Sequence, residues 1–119
     1  MKILLVEDVP FMQEAMANVI ESAGIEVMKT DNLEEAKKLL ATENFKLLIT
    51  DLYLPEPDGF ALVDHVKNNK GFNPIPVIVV TGNRDTITHP IAADEWLNKP
   101  FTLDELLNSI RKHLDGVSV

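Results

Sequence analysis

A chain of 119 residues is long enough for one domain with its own hydrophobic core, and the absence of cysteine excludes a disulfide scaffold, thiol catalysis and cysteine-ligated zinc. Nineteen acidic residues against eleven basic ones leave a formal charge of −8, a field that opposes direct binding to nucleic acid or anionic lipid. The opening residues lack the apolar stretch of a signal peptide and no run approaches a membrane span, so a soluble, cytoplasmic protein is expected.

Apolar runs alternate with helical patterns along the chain. Residues 2–6 read as a short strand, and residues 11–23 follow as a helix with Met12, Met16, Val19, Ile20 and Ala23 on one face, Pro10 in its first turn and Gly24 as its stop. Met12 and Met16 suit the core better than an exposed contact surface. Residues 25–29 form a second strand. Asp31 is placed to cap the next helix, with Glu34 completing the box and Leu33, Ala36, Leu39 and Leu40 as the buried stripe. Residues 46–50 form the third strand, ending at Asp51, and a turn rich in Pro and Gly leads to a helix over residues 59–67. Residues 76–80 are the most apolar strand and suit a central position buried on both faces. Residues 83–93 are a weak segment, and residues 95–98 a fifth strand. The last helix opens with a capping box of Thr102 and Glu105, buries Leu103, Leu106, Leu107, Ile110 and Leu114, and carries Arg111, Lys112 and His113 as cations in its final turn.

Five short strands separated by helices predict α/β architecture: a doubly wound, five-stranded parallel sheet in a three-layer sandwich. Residues 1–119 are read as a single domain, with 115–119 a tail or the start of a linker. Ligands in such folds bind beyond the carboxyl ends of the strands. That rim collects a particular set of side chains: Glu7 and Asp8 after the first strand, Asp51 after the third, Thr81 after the fourth and Lys99 after the fifth. Three neighbouring carboxylates raise one another's proton affinity, and the arrangement makes sense around a cation. Oxygen-only ligands suit Mg²⁺ or Mn²⁺, and His65, His89 and His113 lie away from the strand ends. A metal, a lysine, a hydroxyl and an ionised carboxylate together form the inventory for phosphoryl transfer to a carboxylate. Glu7 and Asp8 also fit the plainer role of acids at a helix start, and Asp51 that of a turn residue.

The segments LLVEDVP, ITDLYLPEPDGF, VVTG and LNKPF, in this order on successive strand ends, resemble a response-regulator receiver domain of the chemotaxis-regulator type, a part of two-component phosphorelays with a flavodoxin-like (βα)5 fold. The resemblance implies that Asp51 is the phosphoacceptor, that Glu7, Asp8, Asp51 and the backbone carbonyl of Tyr53 hold Mg²⁺, and that Thr81 and Lys99 serve the phosphoryl group. It further implies a cis Lys99–Pro100 bond, a structural role for Pro55 and Gly59, and a switch role for Thr81 and for Trp96, where Tyr or Phe is more usual. The donor would be a histidine kinase or a histidine phosphotransfer protein, and the chain would act as a monomer or a phosphorylation-dependent dimer. Such a domain is not a conventional enzyme, yet it catalyses its own aspartyl phosphorylation and dephosphorylation.

The pattern departs from the family between Thr81 and Lys99, where 17 residues intervene, too few for a full fourth helix. Thr86, Ile87 and Thr88 are β-branched, Pro90 breaks helices, and Ala92 and Ala93 replace a glycine pair. A short, distorted or absent fourth helix is expected. Three rival readings remain. An Mg²⁺-dependent small-molecule phosphatase lacks its second aspartate, since Tyr53 stands two after Asp51. A flavodoxin-type binding module would not place Glu7 and Asp8 in its phosphate loop. A receiver-like interaction domain without phosphate turnover is the third.

Overall fold

The computed structural model describes residues 2–51, 58–68, 75–82 and 93–114. Among them the chain runs β1 (Lys2–Val6), α1 (Pro10–Ser22), β2 (Glu26–Thr30), α2 (Leu33–Thr42), β3 (Leu47–Asp51), α3 (Asp58–Asn68), β4 (Val77–Thr81), β5 (Glu95–Asn98) and α4 (Leu103–His113). The strands form one parallel sheet in the order β2-β1-β3-β4-β5. The doubly wound α/β sandwich expected from the sequence is therefore present. The expected fourth-helix segment, residues 83–92, lies outside the described residues, as do Tyr53 and Pro55.

Side-chain alternation along each strand divides the core in two. Ile3 and Leu5 of β1, Leu47 and Ile49 of β3, Ile78 and Val80 of β4 and Leu97 of β5 pack with Met16, Ala17 and Ile20 of α1 and with Leu106 and Ile110 of α4. On the other face, Leu4, Val6, Leu48, Val77 and Val79 pack with Ala36 and Leu40 of α2 and with Leu62, Val63 and Val66 of α3. Helices α1 and α4 thus cover one face, and α2 and α3 the other. Each fully buried aliphatic side chain contributes about 1.5–3 kcal/mol. Met16 is buried and Met12 packs against the first cluster, as core residues do.

Three local expectations are corrected. The strand expected at 76–80 is β4, one residue further on at Val77–Thr81; it is buried throughout and lies second from the edge, with β3 in the middle. Asp31 does not cap α2. Asn32 does, its Oδ1 accepting from the Glu35 backbone N–H at 2.8 Å, while Asp31 Oδ1 accepts from the Asn32 side chain. Strand β2 extends to Thr30, and that one-residue extension moves the cap to the next residue. Leu103, placed in the buried stripe of the last helix, is exposed because it is the first residue of α4, before the helix settles onto the sheet.

Other signals act as read. Pro10 opens α1, Gly24 follows it with φ +83°, a left-handed conformation that favours glycine, and Thr102 and Glu105 form both halves of the capping box. At the amino edge of the sheet, Asp94 Oδ2 accepts from the Val77 N–H at 2.7 Å and from Lys67 Nζ at 2.6 Å. Burial alone would raise the Asp94 carboxyl, but Lys67 and the Val77 N–H outweigh it and hold the group below its ordinary value. No helix among the described residues is long and apolar enough to cross a membrane.

The cap assignment is testable by urea denaturation. Asn32→Ala should lower the unfolding free energy by about 1 kcal/mol, whereas Asp31→Ala should change it by less than about 0.5 kcal/mol.

Candidate functional site

Register and alternation together build the carboxyl rim. Val6 of β1 lies beside Thr50 of β3, so Glu7, one step on, comes beside Asp51. Thr81 of β4 lies beside Asn98 of β5, which places Lys99 one residue beyond the pair. Glu7 continues the row of Ile3 and Leu5, Asp51 that of Leu47 and Ile49, and Lys99 that of Leu97, all on the face covered by α1 and α4. Three polar side chains from three strands therefore converge on one side of the sheet. The rim also lies where the strand order reverses, since β2 and β3 flank β1 on opposite sides.

Carboxylate oxygens of Glu7, Asp8 and Asp51 lie within 4.8 Å of one another. Glu7 is 1% exposed and Asp51 7%, while Asp8 is half-buried. Lys99 Nζ bridges the two buried acids, at 2.8 Å from Asp51 Oδ2 and 3.1 Å from Glu7 Oε1. The second oxygen of Glu7 accepts from the Val9 backbone N–H at 3.2 Å. Thr81 is fully buried at the end of β4, and its carbonyl accepts from the Lys99 N–H at 2.9 Å. The Thr50 hydroxyl donates to the Asp51 carbonyl at 2.9 Å.

Burial pushes the Glu7 carboxyl above its ordinary value; the Val9 N–H and Lys99 oppose the shift, and the Asp51 charge reinforces it. Burial alone would depress Lys99, but the hydrogen bond and charge of Asp51, with those of Glu7, raise it overall. The ammonium is therefore fixed as a cation, and one cation faces three carboxylates. This donor set, all oxygen, close together and short of positive charge, can coordinate a divalent metal.

Of the residues singled out in the sequence, Glu7, Asp8, Asp51 and Lys99 meet, and Thr81 ends the adjoining strand. The Lys99–Pro100 peptide is cis. Gly59 lies in the first turn of α3. Trp96 stands apart: it alternates with Leu97, lies on the opposite face of the sheet from Lys99 and packs half-buried against the α2–α3 cluster. Val9, not Asp8, occupies the N-cap position of α1 and makes no side-chain cap bond. The residue that sequence reasoning passed over is Gln13, whose side-chain amide donates to the Glu7 carbonyl at 3.0 Å and to the Thr30 carbonyl at 3.1 Å. Its signal was a polar residue continuing the row of Met16, Ala17 and Ile20 toward the acidic rim.

A family model described as "Response regulator receiver domain" matches residues 3–111. The transcriptional regulatory protein CrdR of Helicobacter pylori is 35% identical over 115 residues, which cover 93% of this chain and 54% of that protein. The chain spans about half the length of the curated relatives it matches first. Among solved structures, the signal receiver domain of a histidine kinase from Syntrophus aciditrophicus superimposes with a TM-score of 0.85 at 30% identity, covering 98% of this chain and 92% of that one. The response regulator TrrA of Thermotoga maritima, solved in complex with Mg(2+)-BeF, superimposes with a TM-score of 0.83 at 29% identity, covering 95% and 98%.

The shifted groups set a pH dependence. Glu7, with its carboxyl raised in the fold, contributes stability that is complete below the ordinary glutamate value of 4.5 and is lost as pH rises through its raised value. Lys99, raised from its ordinary 10.5, contributes stability below that value and loses it as pH rises through the raised one. Without metal, the unfolding free energy of the wild-type chain should therefore fall relative to that of Glu7→Gln as pH rises from 4.5 through the Glu7 transition. Urea titrations at stepped pH measure the difference.

Proposed function

Because the chain belongs to the response-regulator receiver domain family, we propose that it accepts a phosphoryl group from a phosphohistidine donor on the Asp51 carboxylate and changes its protein contacts as a result. The observation that carries this reading is the rim itself: a nearly buried Asp51 held by a lysine, with carboxylate oxygens of Glu7 and Asp8 within 4.8 Å of its own. Residues 1–119 then constitute one receiver domain. A histidine kinase or a histidine phosphotransfer protein is the donor, and the domain works as a monomer or as a dimer formed on phosphorylation. The strongly acidic chain does not bind nucleic acid directly.

An Asp51 oxygen attacks phosphorus as the phosphorus–nitrogen bond of the donor breaks, and the imidazole leaves with the bonding pair. A carboxylate attacks through its own lone pair, so the step takes no proton from Asp51. Mg²⁺, or Mn²⁺ in its place, supplies the positive charge that offsets the oxygens of the incoming group. Glu7, Asp8 and Asp51, with the backbone carbonyl of Tyr53, would hold it. Lys99, already 2.8 Å from Asp51, passes from carboxylate to phosphoryl oxygen without leaving the rim. The Thr81 hydroxyl donates to a phosphoryl oxygen from the neighbouring strand. Attack of water on the acyl phosphate returns Asp51 and inorganic phosphate, so one set of residues serves both directions. Trp96, on the next strand and on the same face of the sheet as Thr81, reports the state of Thr81 to the α2–α3 side. The complex of TrrA with Mg(2+)-BeF supports this use of the rim.

Incubation with acetyl phosphate or phosphoramidate plus Mg²⁺ should add the mass of one phosphoryl group to the intact chain. Asp51→Asn should abolish the gain. A gain that persists in that variant, or that never occurs in the wild-type chain, overturns the reading. Beryllofluoride added after Mg²⁺ should change Trp96 fluorescence in the wild-type chain and leave Asp51→Asn unaltered; an unchanged wild-type signal removes Trp96 from the switch.

A further inference from the structure

We infer that Gln13 is a positioning residue for the metal site, acting through the Glu7–Asp8 peptide; the inference rests on the Mg²⁺ reading above. The main-chain and side-chain bonds of Glu7 are each accounted for. Its N–H donates to the Thr30 carbonyl at 3.1 Å, its two carboxylate oxygens accept from Val9 and Lys99, and its carbonyl accepts from Gln13 Nε2 at 3.0 Å. The same Gln13 amide group donates to the Thr30 carbonyl at 3.1 Å. One amide thereby ties the carboxyl ends of β1 and β2 to the first turns of α1.

Asp8 gains most from this tie. Among the described residues, no hydrogen bond or ion pair holds the Asp8 carboxylate, in contrast to Glu7 and Asp51. Its direction follows from the backbone on either side of its Cα. On the amino side that backbone is the Glu7–Asp8 peptide, whose carbonyl Gln13 holds. On the carboxyl side it is Val9, whose N–H is held by Glu7. Gln13 thus sets where the least supported of the three acids points. Groups that orient metal ligands in this way typically change affinity by about tenfold or more when removed.

Cation selectivity separates positioning from mere stabilisation. Mg²⁺ demands near-ideal octahedral geometry, whereas Ca²⁺ accepts irregular oxygen sets. Gln13→Met keeps the length of the side chain and removes both donors; Gln13→Ala is the second variant, and metal-free circular dichroism confirms that each is folded. Calorimetric titration of the full chain with Mg²⁺ and, separately, with Ca²⁺ is the test. Both variants should weaken Mg²⁺ binding by about tenfold and Ca²⁺ binding by less than about threefold. Mg²⁺ affinity within about twofold of wild type in a folded variant, or an equal loss for both cations, overturns the inference while leaving the functional reading intact. Absence of Mg²⁺ binding by the wild-type chain overturns both.

Discussion

Three carboxylates within 4.8 Å of one another at the end of a buried sheet repel, and the Lys99 ammonium between Glu7 and Asp51 is what lets them share the space. Desolvation works against Glu7 and Lys99 alike: it pushes Glu7 toward its neutral form and opposes the charge on Lys99. The lysine prevails because it meets two acids at once. Even so, one ammonium against three carboxylates leaves the rim short of positive charge. That shortfall is what suits the three acids to a divalent cation.

The rim was legible in the sequence because a strand buried on both faces announces its own end. Where an apolar run of β-branched and aliphatic residues gives way to Glu7, Asp51 or Thr81, the change in polarity coincides with the edge of the sheet; Lys99 follows the edge strand β5, of which Leu97 alone is buried. In a parallel sheet all such ends lie on one side, which by itself brings Glu7, Asp51 and Lys99 to a common rim. Strand order was another matter. Local pattern separates buried strands from helices, but β3 and β4 are equally buried along their length, and nothing within five residues ranks one as the more central.

What the sequence concealed depended on geometry within a single residue step. Asp31 and Asn32 are both good helix caps, and the choice between them turned on whether β2 stopped at Lys29 or at Thr30. Trp96 and Lys99 sound adjacent, yet three steps along an alternating strand put them on opposite faces. Gln13 is marked in the sequence only by its place in the row of Met16, Ala17 and Ile20, because the backbone carbonyls it binds carry no signature of their own.

Strand β5 is clamped at each end. Asp94, just before it, is bound to Lys67 of α3 and to the start of β4, and Lys99, just after it, is bound to the acids of β1 and β3. Four residues lie between the clamps, and the ladder to β4 fixes them sideways. A strand held at both ends and along its side has little room to slide within the sheet. Alternation sends Trp96 toward the α2–α3 cluster and Glu95 toward Lys112 and His113 of α4, so four residues join both helical layers to the acidic rim.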